Sequence, residues 1–268
     1  MSLRINTNVE AFNAHRNLNA TSDKIAKSME RLSSGLRINR ASDDAAGLAI
    51  SEKMRGQIGG LDQAKRNAQD GISLVQTAEG SLTEVHSILQ RVRTLAVQYE
   101  NGTVGTKDKE AIDSEVKQLT TELEAIGTRA EFNGTKLLNA TGTVTFQVGA
   151  NGGETTTVSL VSLGTTLGAS VAGMTTLASS SIASIDAAIE SVSKVRADFG
   201  AVQNRLEHTL NNLSVYQENL TSSESRIRDV DMANEMVSLT KNQVLSQAGT
   251  AILSQANQAS QGVLSLLR

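Results

Sequence analysis

The chain has 268 residues, with 25 basic and 28 acidic side chains, a formal charge of −3 and 39% apolar residues. That is enough for a real core in one or two domains, and the near-neutral charge argues against a phosphate-binding surface spread over the chain. Cysteine and tryptophan are absent and aromatics make up 2%, which removes disulfides, thiolate metal sites and cysteine nucleophiles and argues against base-stacking platforms.

Proline is absent as well, where ordinary usage near ~5% would give about a dozen. Proline breaks helix interiors by removing a donor and clashing with the preceding turn, so long unbroken helices are expected. Met1 to Asn19 is polar, with no apolar segment or small-residue cleavage site of a secretory signal. No stretch reaches the ~20 apolar residues of a membrane span. Ala11, Ala14, Leu18, Ile25, Met29, Leu32 and Leu36 then form one helical face.

Leu61, Ala64, Ala68, Gly71, Val75, Ala78, Leu82, Val85, Leu89, Val92, Ala96 and Tyr99 alternate spacings of three and four. Such a heptad repeat keeps one seam on one side and favours a coiled-coil partner. At ~1.5 Å per residue it makes a rod of roughly 60 Å. Gly102 and Gly105 mark a loop, after which Thr106 is the expected cap, with Asp108 and Glu110 near the positive helix end. Ile112, Val116, Leu119, Leu123 and Ile126 repeat the spacing, and the short connection makes the two helices antiparallel neighbours. Asn133-Gly134 reads as a turn.

Residues 141–181 are rich in Thr, Ser and Gly and almost uncharged. Val144 to Val148 alternates like a strand and Thr155 to Leu160 can return, which predicts a small β-hairpin appended to the core. A third seam follows through Ile182, Ile185, Ile189, Val192, Val195, Phe199, Val202, Leu206, Leu210, Leu213 and Leu220. At the end, Val244, Ala248, Ile252, Ala256, Ala259, Val263 and Leu266 form another face, and no charged side chain occurs from Asn242 to Leu267. A solvated helix carries charge on its outer face; a segment without charge is built for burial. A lone terminal helix cannot bury two faces, so the ends are expected to be loose in an isolated chain and to order against other copies. The expected fold is mainly α, an elongated antiparallel coiled-coil bundle with a small β-hairpin.

No catalytic constellation emerges. His15, His86 and His208 stand alone on polar faces. Asp43 and Asp44, as adjacent helical residues, point about 100° apart and do not converge. Ser42 is the expected cap there, with the acids complementing the dipole. Asp229 and Asp231, among Arg226 and Arg228, suggest ion pairs at a bend. Gly35 and Gly47 lack a phosphate-loop context. No enzyme activity, cofactor, metal, nucleic-acid partner or membrane partner is expected.

Several long motifs carry a family likeness. RLSSGLRINRASDDAAGLAISEKMRGQ (Arg31 to Gln57) resembles the N-terminal signature of bacterial flagellin. QDGISLVQTAEGSLTEVHSILQRVRTLAVQ (Gln69 to Gln98) and EFNGTKLL (Glu131 to Leu138) continue it. AVQNRLEH (Ala201 to His208) and SRIRDVDMANEM (Ser225 to Met236) match in the C-terminal half. The likeness covers both ends and about four-fifths of the chain, and departs in the middle, where many flagellins carry large outer domains. It implies a short flagellin that polymerises into the flagellar filament of motile bacteria. Residues 1–40 and 230–268 would form an inner coiled coil of paired terminal helices, and 41–229 an outer bundle that includes the variable segment 141–181.

The resemblance implies a polymerisation seam made by Leu18, Ile25, Met29, Leu32, Leu36, Val244, Ile252, Val263 and Leu266. It also implies export through the flagellar type III channel without a cleaved signal, an export chaperone holding 230–268, a filament cap and hook-associated proteins. In flagellins recognised by Toll-like receptor 5, the matching positions are Arg91, Leu95 and Glu115; the motif departs at Thr94, where Glu is usual. The rival reading is a hook–filament junction protein, which shares terminal packing but builds no long filament.

Overall fold

The structure is a computed structural model that describes residues 8–166 and 181–266. Its elements run α1 (Val9–Ser34), α2 (Ala45–Tyr99), α3 (Thr106–Arg129), β1 (Glu131–Phe132), β2 (Thr135–Lys136), β3 (Gly142–Gln147), β4 (Thr155–Leu160), the short α4 (Leu163–Thr166), α5 (Ser181–Arg228) and α6 (Met232–Leu266). The mainly helical fold expected from the proline-free sequence is the fold observed. The chain divides into two compact units, one of residues 1–56 and 219–268, the other of 57–218.

In the 57–218 unit the first heptad seam is the core. From Leu61 through Ala68, Val75, Leu82 and Leu89 to Val92 its side chains are at most 1% exposed. Ile112, Val116 and Leu123 of α3 and Ile185, Val192, Val195 and Phe199 of α5 close over it. These are the positions the three-and-four spacing selects, because one stripe of each helix faces the others while charged residues remain outside. Ion pairs fix the pairing: Arg93 meets Asp186 at 2.6 Å and Glu79 meets Arg196 at 3.6 Å, while Gln217 donates to Asp62 at 2.7 Å. Descending numbers on α2 thus meet ascending numbers on α5, an antiparallel pair.

The β-hairpin differs from expectation. Register pairs Gly142 with Leu160 and Gln147 with Thr155, as the alternation predicts, but the hairpin belongs to the core. Val158 is fully buried, and Val144, Phe146 and Leu160 pack on the main cluster. Asn67 Nδ2 donates to the Gln147 carbonyl at 2.9 Å and Arg205 to that of Thr157 at 3.1 Å. The physical reason is the alternation itself: a strand pair with one apolar face must bury it, and α2 and α5 offer Gly71, Ala68 and Leu206 as the floor. Asn133-Gly134 forms the expected turn between β1 and β2, with φ of 48° and 79°. Two positive φ values in a two-residue loop are those of a type I′ hairpin turn. Of the variable segment, 167–180 lies outside the described residues.

Capping corrects three local expectations. Gly105, not Thr106, precedes α3, and its N–H donates to Asp108 Oδ2 at 3.3 Å. Asp44, not Ser42, caps α2, accepting from Gly47 N–H at 2.9 Å. Asp231 caps α6 through the N–H groups of Ala233 and Asn234 at 3.0 and 3.1 Å, while Arg228 pairs with Glu52 and Arg226 bonds Ser222 and Ser223. In each case a short carboxylate beside unpaired N–H groups at a helix start outcompetes the alternatives.

Candidate functional site

The unit of residues 1–56 and 219–268 pairs α1 with α6. Asn8 starts the pair: its side chain accepts from Ala11 N–H and donates to the Ala256 carbonyl, both at 3.0 Å. Leu18 lies against Gly249, where a Cβ would be 3.4 Å from Leu18 Cδ1, and Arg31 meets Glu235 at 3.6 Å. The helices are therefore antiparallel. Among the described residues the terminal segments are helices that pair with each other along a continuous seam.

That seam is unusual in composition. On α1 the shielded positions are Ala11, Ala14, Leu18, Thr21, Ile25, Ser28 and Leu32, again alternating three and four. On α6 they are Glu235, Leu239, Asn242, Ser246, Gly249, Leu253 and Ala256. Small and polar residues occupy much of the contact, which lets the backbones approach closely. Five larger aliphatics, Leu18, Ile25, Leu32, Leu239 and Leu253, also lie in the seam, while others point away: Phe12 is 67% exposed, Val237 69%, Val244 and Ile252 59%. Met236, Val237, Val244 and Leu245, with Thr240 and Lys241, line an open apolar depression of about 490 Å³ along α6.

The residues expected in the polymerisation seam are thus divided between two surfaces. Leu18, Ile25, Leu32 and Leu36 are half-buried, the first three along the α6-facing side of α1. Met29 is 54% exposed, and Val244 and Ile252 lie on the outward face of α6. Val263 and Leu266 lie outside the residues whose side chains are described. Sequence periodicity missed the inward seam of α6 because Asn242, Ser246 and Gly249 carry no hydropathy signal. Their three-and-four spacing from Leu239 to Ala256 was the trace that could have found it.

A strap from Gly35 to Asp44 joins α1 to α2. Gly35 ends α1 at φ 71°, with its N–H on the Arg31 carbonyl. Arg37 N–H then donates to the Arg228 carbonyl at 2.6 Å, and Val230 N–H to that of Gly35 at 3.0 Å. Ile38 is buried beside Gly47, where a Cβ would meet Ile38 Cδ1 at 2.7 Å. Asp43 binds Lys27 at 2.6 Å and accepts from the N–H groups of Arg40 and Asn39. The Lys27 ammonium, then the Arg40 N–H, hold the Asp43 carboxyl down at about 2 against an ordinary 3.8. Arg228 likewise holds Glu52 below its ordinary value. These are structural clamps; Asn39 and Arg40 belong to the strap itself, while Lys27, which the spacing does not reveal, comes from α1.

In the other unit, Arg91 Nη2 and Nε donate to Glu115 Oε1 at 2.7 and 2.9 Å, joining α2 to α3 at the surface. Leu95, one turn on, is 2% exposed and belongs to the core. The structure brings Arg91 and Glu115 together and turns Leu95 away from them. His15 and His86 bond only local amides, at Asn19 and Gln90. Among the described residues no cluster of three or more His, Asp or Glu could hold a metal, and no helix is long and apolar enough to cross a membrane.

Residues 5–143 match the bacterial flagellin N-terminal helical region, and 182–267 the C-terminal helical region. The chain is 56% identical to a flagellin of Halalkalibacterium halodurans, over 98% of this chain and 99% of that one. It is 50% identical to a Bacillus subtilis flagellin over 99% and 100%, and 48% identical to a 33 kDa flagellar filament core protein of Treponema phagedenis over 98% and 99%. The crystal structure of Bacillus cereus flagellin superposes with a TM-score of 0.50 at 32% identity, covering 55% of this chain and 88% of that one. None of these favours a hook–filament junction protein. With both terminal regions matched and near-full-length identity of half or more, the chain belongs to the bacterial flagellin family, as a short structural subunit of the flagellar filament.

Proposed function

We propose that the outward faces of α1 and α6 are where copies of this chain meet in the filament. The observation that carries this reading is the second apolar face: the seam between the two helices is filled by small, polar and a few leucine and isoleucine side chains, while Val237, Val244 and Ile252 on the other side of α6 stand more than half exposed. Burying such side chains against a neighbour contributes ~1.5–3 kcal/mol each, and a contiguous apolar face of this kind marks an interaction surface. Contacts between unlike surfaces propagate as an open helical polymer. Residues 1–40 and 230–268 serve as the inner coiled coil, and 41–229 as the outer part.

In this reading the subunit is structural, not an enzyme, and needs no cofactor. It leaves through the flagellar type III channel. The export chaperone holds 230–268 by the face that later polymerises, and the filament cap and hook-associated proteins meet it at the two ends of the polymer. Recognition by Toll-like receptor 5 is assigned to Arg91 and Glu115, with Leu95 contributing as part of the core that carries α2. Its support is the exposure of both charged side chains, 54% and 41%.

The test is electron microscopy of the purified chain incubated with short filament seeds, beside the chain truncated before Val230. The full chain is expected to extend the seeds as long hollow filaments and the truncated one to leave them unchanged. Filaments of normal length from the truncated chain would sink the reading.

A further inference from the structure

Three Asn-Gly steps occur in exposed loops of the 57–218 unit: Asn101-Gly102, Asn133-Gly134 and Asn151-Gly152. Asn followed by Gly is the dipeptide most open to attack on its own side chain, because glycine has no Cβ to crowd the backbone nitrogen. In that reaction the Gly nitrogen bonds to the Asn Cγ, the Cγ–Nδ2 bond breaks, and ammonia leaves with the proton of the Gly N–H. Solvent water then opens the five-membered imide at either carbonyl, giving aspartate or isoaspartate. No oxidant, metal or enzyme is required.

The three sites are identical as dipeptides and unlike in the fold. At Asn151, Nδ2 donates to Glu154 Oε1 at 3.0 Å and the backbone N–H to Glu154 Oε2 at 3.1 Å. The leaving nitrogen and the backbone are both held by one carboxylate. At Asn133 the constraint is the turn: both residues have positive φ, and Phe132 pairs with Thr135 directly outside. Ring closure needs a backbone ψ that a type I′ turn does not have, so the hairpin must open first.

Asn101 lacks the bond on Nδ2 and the positive φ; its own backbone N–H donates to the Gln98 carbonyl at 3.1 Å. It is the first residue of a turn closed by Val104 N–H on the Asn101 carbonyl at 3.1 Å. The Gly102 N–H takes no part in that bond. Thr103 N–H donates to Asn101 Oδ1 at 3.3 Å, which draws electrons from Cγ. The nucleophile is left unencumbered, the electrophile is polarised, and the leaving Nδ2 is held by no carboxylate of the kind that holds Asn151.

We propose that Asn101 is a self-modifying site, converting spontaneously to aspartate and isoaspartate through a cyclic imide with Gly102, while the fold protects Asn133 and Asn151. Conversion adds a negative charge beside Glu100, in the loop between α2 and α3, to a chain of formal charge −3. Isoaspartate also lengthens the backbone by a methylene.

The experiment is peptide mapping by mass spectrometry of the full chain incubated at mildly alkaline pH, with isoaspartate scored by isoaspartyl methyltransferase. The same incubation in denaturant gives each site's rate without the fold. Asn101 is expected to convert several-fold faster than Asn133 or Asn151 in the folded chain, and all three at similar rates in denaturant. Gly102→Val, at a position with nothing within 4 Å of an added Cβ, is expected to silence Asn101 with the fold retained. Glu154→Ala is expected to speed Asn151 alone. Equal rates at the three sites in the folded chain, or an unconverted Asn101 while either other site reacts, would overturn the proposal.

Discussion

Gly71 on α2 and Leu206 on α5 lie so close that a Cβ added to Gly71 would sit 3.2 Å from Leu206 Cδ1 and 3.4 Å from the Phe146 ring. The glycine is the floor on which the hairpin and α5 rest together. Replacing it with leucine is expected to cost about 1–3 kcal/mol by overpacking, read as a lower urea midpoint with unchanged slope. An unchanged midpoint would mean that the hairpin and α5 part readily there.

The burial of Val158 makes a related demand. If the hairpin were only appended, Val158→Asp would be harmless. With the side chain fully buried in the main cluster, the substitution is expected to cost about 2 kcal/mol or more, since an unpaired carboxylate is left without water. Thermal unfolding by circular dichroism decides between the two.

Asp43 sets the acid behaviour of the strap. Its folded pKa is about 2, below the ordinary 3.8. A depressed carboxyl pKa contributes stability above the unfolded value, and that contribution is lost as pH falls through the folded one. The clamp on Lys27, Arg40 and Asn39 is therefore expected to be complete above pH 4 and to fail toward pH 2. Carboxyl-carbon NMR should place the Asp43 midpoint well below those of other aspartates, and in Asp43→Asn the acid-dependent shift of the Arg40 amide should vanish.

The outward face of α6 separates folding from assembly. Val237 is 69% exposed, so Val237→Asp should change the stability of the isolated chain by less than about 0.5 kcal/mol. Seeded growth should nevertheless stop, because the charge would have to be desolvated in the contact. Filaments of ordinary length from this variant would move the assembly surface elsewhere.

For receptor recognition, Arg91→Ala is the discriminating change. The pair it breaks is exposed on both sides, and such pairs contribute about 0–1 kcal/mol, so the fold should persist. A several-fold loss in receptor-dependent signalling is expected. Full signalling with the side chain removed would reduce the Arg91–Glu115 pair to a surface ion pair.

Much of the helical architecture was legible beforehand. The seam from Leu61 to Ala96 predicts its own burial because a three-and-four repeat admits one way of hiding an apolar stripe. The Asn133-Gly134 turn follows from residues that tolerate positive φ. The caps were less legible: Asp44, Asp231 and Gly105 displaced or preceded the residues expected, since several neighbours can cap and one residue decides the frame. The clamp around Asp43 was hidden for another reason. Asn39 and Arg40 meet Asp43 within the strap, but Lys27 approaches from α1, and no local spacing records that meeting.

The sequence by itself determined the helices, their heptad seams, the strand pair and the family, because periodicity and long motifs are properties of neighbouring residues along one chain. Only the tertiary structure decided which side of α6 faces α1. Both sides of that helix are free of charge beyond Asn242, so hydropathy points to the large residues Val244 and Ile252, whereas close backbone approach at Gly249 and hydrogen bonding at Asn8 select the small ones. Tertiary packing likewise placed Val158 and Leu95 in the core, because burial depends on what an entire face meets.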